Sequence, residues 1–351
     1  MGSRMTAQID IRPIFFFPLR TFTRNAPACG GAGVVATLNL KMLNSLSRLA
    51  ASRVVTPLVC ITLPDYGAPV WCKLEYLQPS GSTKDRIARY ILNRAIRRGE
   101  LLEGGTIVEA SSGSTSIAFA LASAQLGLHF TAVMPDGVSH ERIMIIRAYG
   151  ADVELTPRSE GVLGSIRRAQ QLACESGAFW PRQFSNPDNA RAHRDETAGE
   201  ILSQMTTGSV DIFVSGVGTG GTLVGVTQGL REAGCQVKPV LARPVNSRLI
   251  SDVECCSFSQ RIPGVVEGMS EIFEAAEMPD MCTYEISDDD AIQATRQLIR
   301  SGFPVGPSSG LNYLAAVRAY HEHGGQPVCL TVFPDRMERY FSTELFHEKG
   351  E

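Results

Sequence analysis

The chain has 351 residues, 44% of them hydrophobic and 20% charged. That is enough length and apolar content to bury a core and to make two domains of ordinary size, which excludes a disordered chain and a disulfide-held miniprotein. With 33 basic and 36 acidic residues the net charge is −3, which argues against a nucleic-acid binder working through bulk positive charge, and there is no run of about 18 apolar residues to span a membrane.

The N-terminal 64 residues carry seven basic residues and a single acid, Asp10. Residues 1–53 are read as an N-terminal arm, with a targeting leader as the alternative for so Arg-rich and acid-poor a stretch. Leu40, Leu43 and Leu46 have helical spacing, so 40–51 is predicted to pack on the body or on a partner subunit. From about residue 54, strand and helix patterns alternate. Strands are predicted at 70–75, 106–110, 130–134, 153–155, 211–214, 237–242 and 328–333. Helices are predicted at 85–102, 117–126, 141–149 and 223–233, two of them stopped by Gly127 and Gly150. Such alternation predicts an α/β fold of two domains on twisted, mainly parallel sheets covered by helices. The division is placed in 183–189.

The nine cysteines are scattered, odd in number and without a C-x-x-C pair. They are read as free or buried thiols in a reducing, cytoplasmic compartment, with no disulfide framework and no metal site. His321 and His323 are two apart, share no helix face, and so make no metal pair. His193 is read as structural. Asp288, Asp289 and Asp290 suit the start of a helix.

Gly216-Val217-Gly218-Thr219-Gly220-Gly221-Thr222 follows a predicted strand and opens a predicted helix. Backbone N–H groups of such a turn close around a phosphate, and the helix N-terminus favours its charge. Gly216, Gly218 and Gly221 also satisfy the dinucleotide pattern G-x-G-x-x-G, so an NAD(P)-dependent oxidoreductase is an alternative. It is disfavoured because the acid that should follow about 20 residues on is missing and Arg243 stands there.

Pro79-Ser80-Gly81-Ser82-Thr83-Lys84-Asp85-Arg86 places a lysine in the first turn of a helix, where the positive helix end lowers its pKa and favours the nucleophilic amine. This stretch resembles the P-S-x-S-x-K-D-R motif of the cysteine synthase and cystathionine β-synthase family, the fold-type II pyridoxal-phosphate enzymes. Thr56-Pro57-Leu58 resembles that family's T-P-L. Glu109-Ala110-Ser111-Ser112-Gly113-Ser114-Thr115-Ser116 resembles its E-P-T-S-G-N-T-G loop. Gly218 to Thr222 matches its G-T-G-G-T loop, and Gly306-Pro307-Ser308-Ser309-Gly310 its G-I-S-S-G. The closing P-D-x-x-E-R-Y-x-S-T is met by Pro334-Asp335, Glu338-Arg339-Tyr340 and Ser342-Thr343.

The resemblance implies pyridoxal 5′-phosphate as cofactor. Lys84 would hold it covalently and later take the substrate's Cα proton. Gly218, Thr219, Gly220, Gly221 and Thr222 would bind its phosphate. Ser308 would face the pyridine nitrogen, a neutral partner that suits quick loss of a β-leaving group. Ser111, Ser112, Gly113 and Thr115 would grip the substrate carboxylate, with Gln183 near the substrate. Ser114 stands where the family has the Asn that meets the cofactor's 3-oxygen, and Ser116 where it has Gly. The S-S-G-S-T form resembles a divergent branch that includes L-cysteine desulfhydrases. The implied layout is a smaller α/β domain at 54–185 with the lysine and the substrate loop, a larger one at 186–346 with the phosphate loop, and a tail at 347–351.

The implied function is β-replacement on a serine- or cysteine-like amino acid through an aminoacrylate, with β-elimination as an L-cysteine desulfhydrase as the alternative. The implied partners are a small amino-acid substrate and a small nucleophile, with no nucleic acid and no membrane. A homodimer is expected by family analogy.

Overall fold

The computed structural model describes residues 46–47, 49–111, 113–245 and 270–347. Most of the arm, residues 246–269, Ser112 and the tail beyond residue 347 lie outside the described residues, as does most of the predicted 40–51 helix. Of that helix, Leu46 and Leu49 are buried against Ile87, Ile91 and Phe119 of the body, as its apolar spacing predicts.

Two sheets organise the chain. β1 (Leu58–Ile61), β2 (Val70–Lys73), β6 (Ile212–Ser215), β7 (Lys238–Val245), β8 (Cys282–Ser287) and β9 (Cys329–Val332) make a six-stranded sheet in the order β1-β2-β9-β6-β7-β8. β3 (Thr106–Ala110), β4 (His129–Pro135) and β5 (Asp152–Thr156) make a three-stranded sheet in that order. The β1–β2 pair is antiparallel and the other ladders are parallel, so the expected mainly parallel α/β architecture is found. Sheet membership does not follow the chain division near residue 185: β1 and β2 belong to the larger sheet, because β2 pairs with β9, the last strand in sequence. Periodicity reports that a strand exists; it carries no information on its partner.

The helices in chain order are α1 (Lys84–Arg97), α2 (Ser114–Leu126), α3 (His140–Ala148), α4 (Gly161–Ser176), α5 (Asp188–Ala192), α6 (Ala198–Gln204), α7 (Gly221–Glu232), α8 (Glu271–Glu274), α9 (Asp288–Arg300) and α10 (Pro307–His323). One π-turn, His193–Thr197, joins α5 to α6. α9 starts where the three aspartates predict, with the Ser287 side chain accepting from the Asp290 backbone N–H.

Successive strand residues point to opposite faces, and both faces of each sheet are covered. In β6, Val214 packs with Val70, Leu311 and Tyr313 on one face, while Phe213 packs with Leu223, Val226 and Leu230 of α7 on the other. In the smaller sheet Ile107, Phe130 and Ala132 meet α1 and α2, while Val108 and Val133 meet Ala169 of α4. No helix among the described residues is long and apolar enough to cross a membrane.

Candidate active site

The C-terminal ends of β3, β6 and β9 open on one cleft between the two sheets, the place where a parallel sheet offers its loops and helix N-termini to a ligand. The cleft is lined by Lys84, by Ser111, Gly113, Ser114 and Thr115, by Gln183, by Gly218, Thr219, Gly220 and Thr222, and by Ser308. Residues as far apart in sequence as Lys84 and Ser308 therefore converge on one cleft.

Lys84 opens α1, preceded by Thr83, whose backbone N–H donates to the Pro334 carbonyl at 2.8 Å. Burial lowers the Lys84 pKa, partly offset by the negative charges of Asp335 and Glu75. An amine held in this way sheds its proton more readily than a surface lysine and can act as nucleophile and base.

The substrate-loop residues follow β3. The Ser111 hydroxyl accepts from the backbone N–H groups of Gly113 at 3.2 Å and Ser116 at 3.4 Å, and the Ser116 hydroxyl donates to the Ser111 carbonyl at 3.1 Å. Ser116 thus braces the turn from within. The Thr115 hydroxyl donates to Gln183 Oε1 at 2.6 Å, and Gln183 Nε2 donates to the Ala110 carbonyl at 2.5 Å. Arg182 turns the chain just before it, in the left-handed region at φ 55°, a strained position for a non-glycine residue. The Gln183 backbone N–H donates to Glu109 Oε2 at 3.1 Å, and burial raises the Glu109 carboxyl to about 8. The N-terminus of α2 therefore faces the cleft from a rigidly tied loop, a setting that favours a carboxylate.

The glycine loop lies opposite. Gly220 sits at φ 77° and a Cβ on it would come within 2.7 Å of the Phe273 Cβ, so the turn demands glycine. Gly221 is the first residue of α7; a Cβ there would meet Asn189 Oδ1 at 1.9 Å. Gly221 is thus a packing glycine, absent from the cleft lining. Asn189 Nδ2 in turn donates to Thr219 Oγ1 at 2.9 Å, and Gly216 N–H donates to Asn312 Oδ1 of α10 at 2.7 Å. His193 is buried, its pKa lowered to about 3 by burial, with Nδ1 3.0 Å from Thr197 Oγ1 and Nε2 3.3 Å from Thr222 Oγ1. It is a neutral brace behind the loop, in keeping with a structural reading. Ser308, 8% exposed, stands one residue inside α10 after Pro307.

This lining fits pyridoxal phosphate: a shielded amine on one side, a glycine cradle at the N-terminus of a 12-residue helix on the other, and a neutral hydroxyl at Ser308. The motifs gave no role to Arg142, Asp335 or Tyr340, which also line the cleft. The signal that could have found Arg142 is its place in the first turn of the helix that follows β4, since the C-terminal ends of parallel strands carry the functional loops. Among the described residues no cluster of metal-ligating side chains is present.

Residues 51–335 match the family described as pyridoxal-phosphate dependent enzyme, and the chain belongs to that family. It is therefore a pyridoxal-phosphate enzyme, and the dehydrogenase alternative falls. Among its relatives, a cysteine synthase of Staphylococcus aureus (strain Mu50) is 36% identical over 83% of this chain and 94% of its own length. The cysteine synthase B of Campylobacter jejuni is 39% identical over 82% of this chain and 94% of its own. A hydrogen sulfide-producing enzyme from Fusobacterium nucleatum has a crystal structure that superposes with a TM-score of 0.79 at 33% identity, covering 88% of this chain and 94% of that one.

Proposed function

We propose that the protein catalyses β-replacement on a serine- or cysteine-like amino acid, expelling a group from the β-carbon and admitting a small nucleophile such as a thiol. The observation that carries this reading is the convergence of Lys84, the hydroxyl loop after β3 and the glycine loop before α7 on one cleft. The similarity to cysteine synthases supports it. When bound, the cofactor supplies an electron-withdrawing ring that stabilises negative charge at the substrate's α-carbon.

The chain's own residues do the rest. Gly218, Thr219, Gly220 and Thr222 bind the cofactor's phosphate at the positive end of α7. Lys84 would hold the cofactor covalently and would serve as the base that takes the substrate's α-proton. Ser111, Gly113 and Thr115 orient the substrate carboxylate at the N-terminus of α2, and Gln183 keeps Thr115 in place. Ser308 would offer the ring nitrogen a neutral hydroxyl, which would favour prompt loss of the leaving group. A cytoplasmic homodimer belongs to this reading.

Elimination is the second reading. It is favoured by the likeness to a hydrogen sulfide-producing enzyme and by Ser114 and Ser116 at the substrate loop. Product analysis separates the two. With O-acetylserine and sulfide, replacement yields cysteine and acetate with little pyruvate. Pyruvate and ammonia from cysteine alone, as the main products, would overturn β-replacement in favour of elimination.

A further inference from the structure

Ser114 does not stand alone at the substrate loop. Its hydroxyl is 3.4 Å from Asp335 Oδ2, which also accepts from the Tyr340 hydroxyl at 2.7 Å. Asp335 is 6% exposed, and its Oδ1 has no hydrogen-bond partner among the described residues. Tyr340 holds Oδ2, and Oδ1 lies close over Gly306, where a Cβ would come within 2.3 Å of it. Asp335 and Lys84 line the same cleft. Two further contacts join the same walls. The Arg142 guanidinium lies 5.5 Å from the centre of the Tyr340 ring, and the Ser342 hydroxyl is 3.2 Å from Glu141 Oε2. The substrate loop and α3 are thereby tied to the segment after β9.

We infer that Asp335 is a positioning residue for the reaction: it fastens the substrate loop through Ser114 and stands as the counter-charge of Lys84. This rests on the reading of Lys84 as the reactive amine. A side chain shortened from Asn to Ser is then no vacancy beside the cofactor, because the hydroxyl has a protein partner. The groups acting on Lys84 are Asp335 and Glu75, which favour its charged form. The neutral His193 lies nearby, and Glu75 is already neutralised by Arg86. Tyr340, which donates to Asp335, itself has Arg142 and Arg339 beside it. Asp335 is thus the carboxylate whose removal changes the Lys84 environment most directly.

The test uses the full chain without cofactor. The rate of modification of Lys84 by an amine-reactive acylating reagent is followed against pH by peptide mass spectrometry, in wild type, Asp335→Asn and Ser114→Ala. Asparagine keeps an acceptor for Tyr340 and removes the charge. Its Lys84 midpoint should fall, read as severalfold faster modification at a fixed pH below the midpoint. Ser114→Ala keeps the charge and should leave the midpoint in place. In the holoenzyme it should raise KM for the amino-acid substrate about fivefold, with kcat changed less. An unchanged midpoint in Asp335→Asn overturns the inference. So does an unchanged KM in Ser114→Ala, which decides alone should Asp335→Asn not fold. The labelling needs no turnover, so a failure of the proposed β-replacement shows separately, as wild type that makes no product.

Discussion

Glu109 shows what a single residue contributes here. Its carboxyl accepts from the backbone N–H groups of Ala110 and Gln183 and so fastens the floor of the substrate loop. Burial raises it to about 8, so the folded state binds its proton more tightly than the unfolded chain. Stability is then unaffected below the ordinary carboxylate pKa and is lost as pH rises from there toward 8. Glu109→Gln removes that titration. The stability of the variant relative to wild type should rise between pH 5 and pH 8, with a slope approaching about 1.4 kcal/mol per pH unit, read from thermal melts at each pH. Parallel curves would show that Glu109 does not titrate in this range. At this scale the sequence was legible unevenly. Lys84, Ser308, Gly218 and Gly220 line the cleft, whereas Gly221 packs on Asn189. The contact of Asp335 with Ser114 was not legible, because the two stand 221 residues apart. Gln183 was read as a residue near the substrate; the geometry adds that both ends of its amide brace the loop.

Among the elements, those with a sharp stop were the most legible. The strand predicted at 106–110 is β3 without change. The helix predicted at 85–102 ends earlier, at Arg97, because Gly99 adopts φ 73° and turns the chain. α4 and the α5–α6 stretch carry few motifs and many polar residues, so the sequence marks them weakly. α9 was predicted at its start alone, and α10 was visible only through the Ser308 motif at its N-terminus. The glycine loop carries the clearest prediction at this scale. Gly220→Ala places a methyl 2.7 Å from the Phe273 Cβ at a left-handed position, a strain of about 1–2 kcal/mol before any clash. Cofactor affinity should fall at least about tenfold, measured by titration with pyridoxal phosphate, and the melting temperature by several degrees. Unchanged affinity in a folded variant would mean the loop only turns the chain.

Across the whole molecule, a buried charge network sets the frame of the cleft. Arg86, two residues after Lys84, pairs with Glu75 at 2.6 Å and with Glu200 of α6 at 2.7 Å, and Lys73 of β2 reaches Glu200 at 2.9 Å. Burial alone would raise the Glu75 carboxyl, yet Arg86 outweighs it and holds it down at about 2. α1 is thereby tied to the larger sheet while its apolar face packs on the smaller one, so Lys84 sits at the junction of both. The α/β class was legible from alternation. The membership of β1 and β2 in the larger sheet was not, because a pairing with β9 closes over more than 250 residues of chain and leaves no local pattern.

The proposed attachment of pyridoxal phosphate to Lys84 underlies every role assigned in this cleft. Borohydride reduction of the holoenzyme, followed by peptide mapping, tests it most directly. One pyridoxyl-labelled peptide is expected, carrying the label on Lys84, with no labelling of a Lys84→Ala variant. A label on any other lysine, or none on a protein that retains the cofactor, would contradict it.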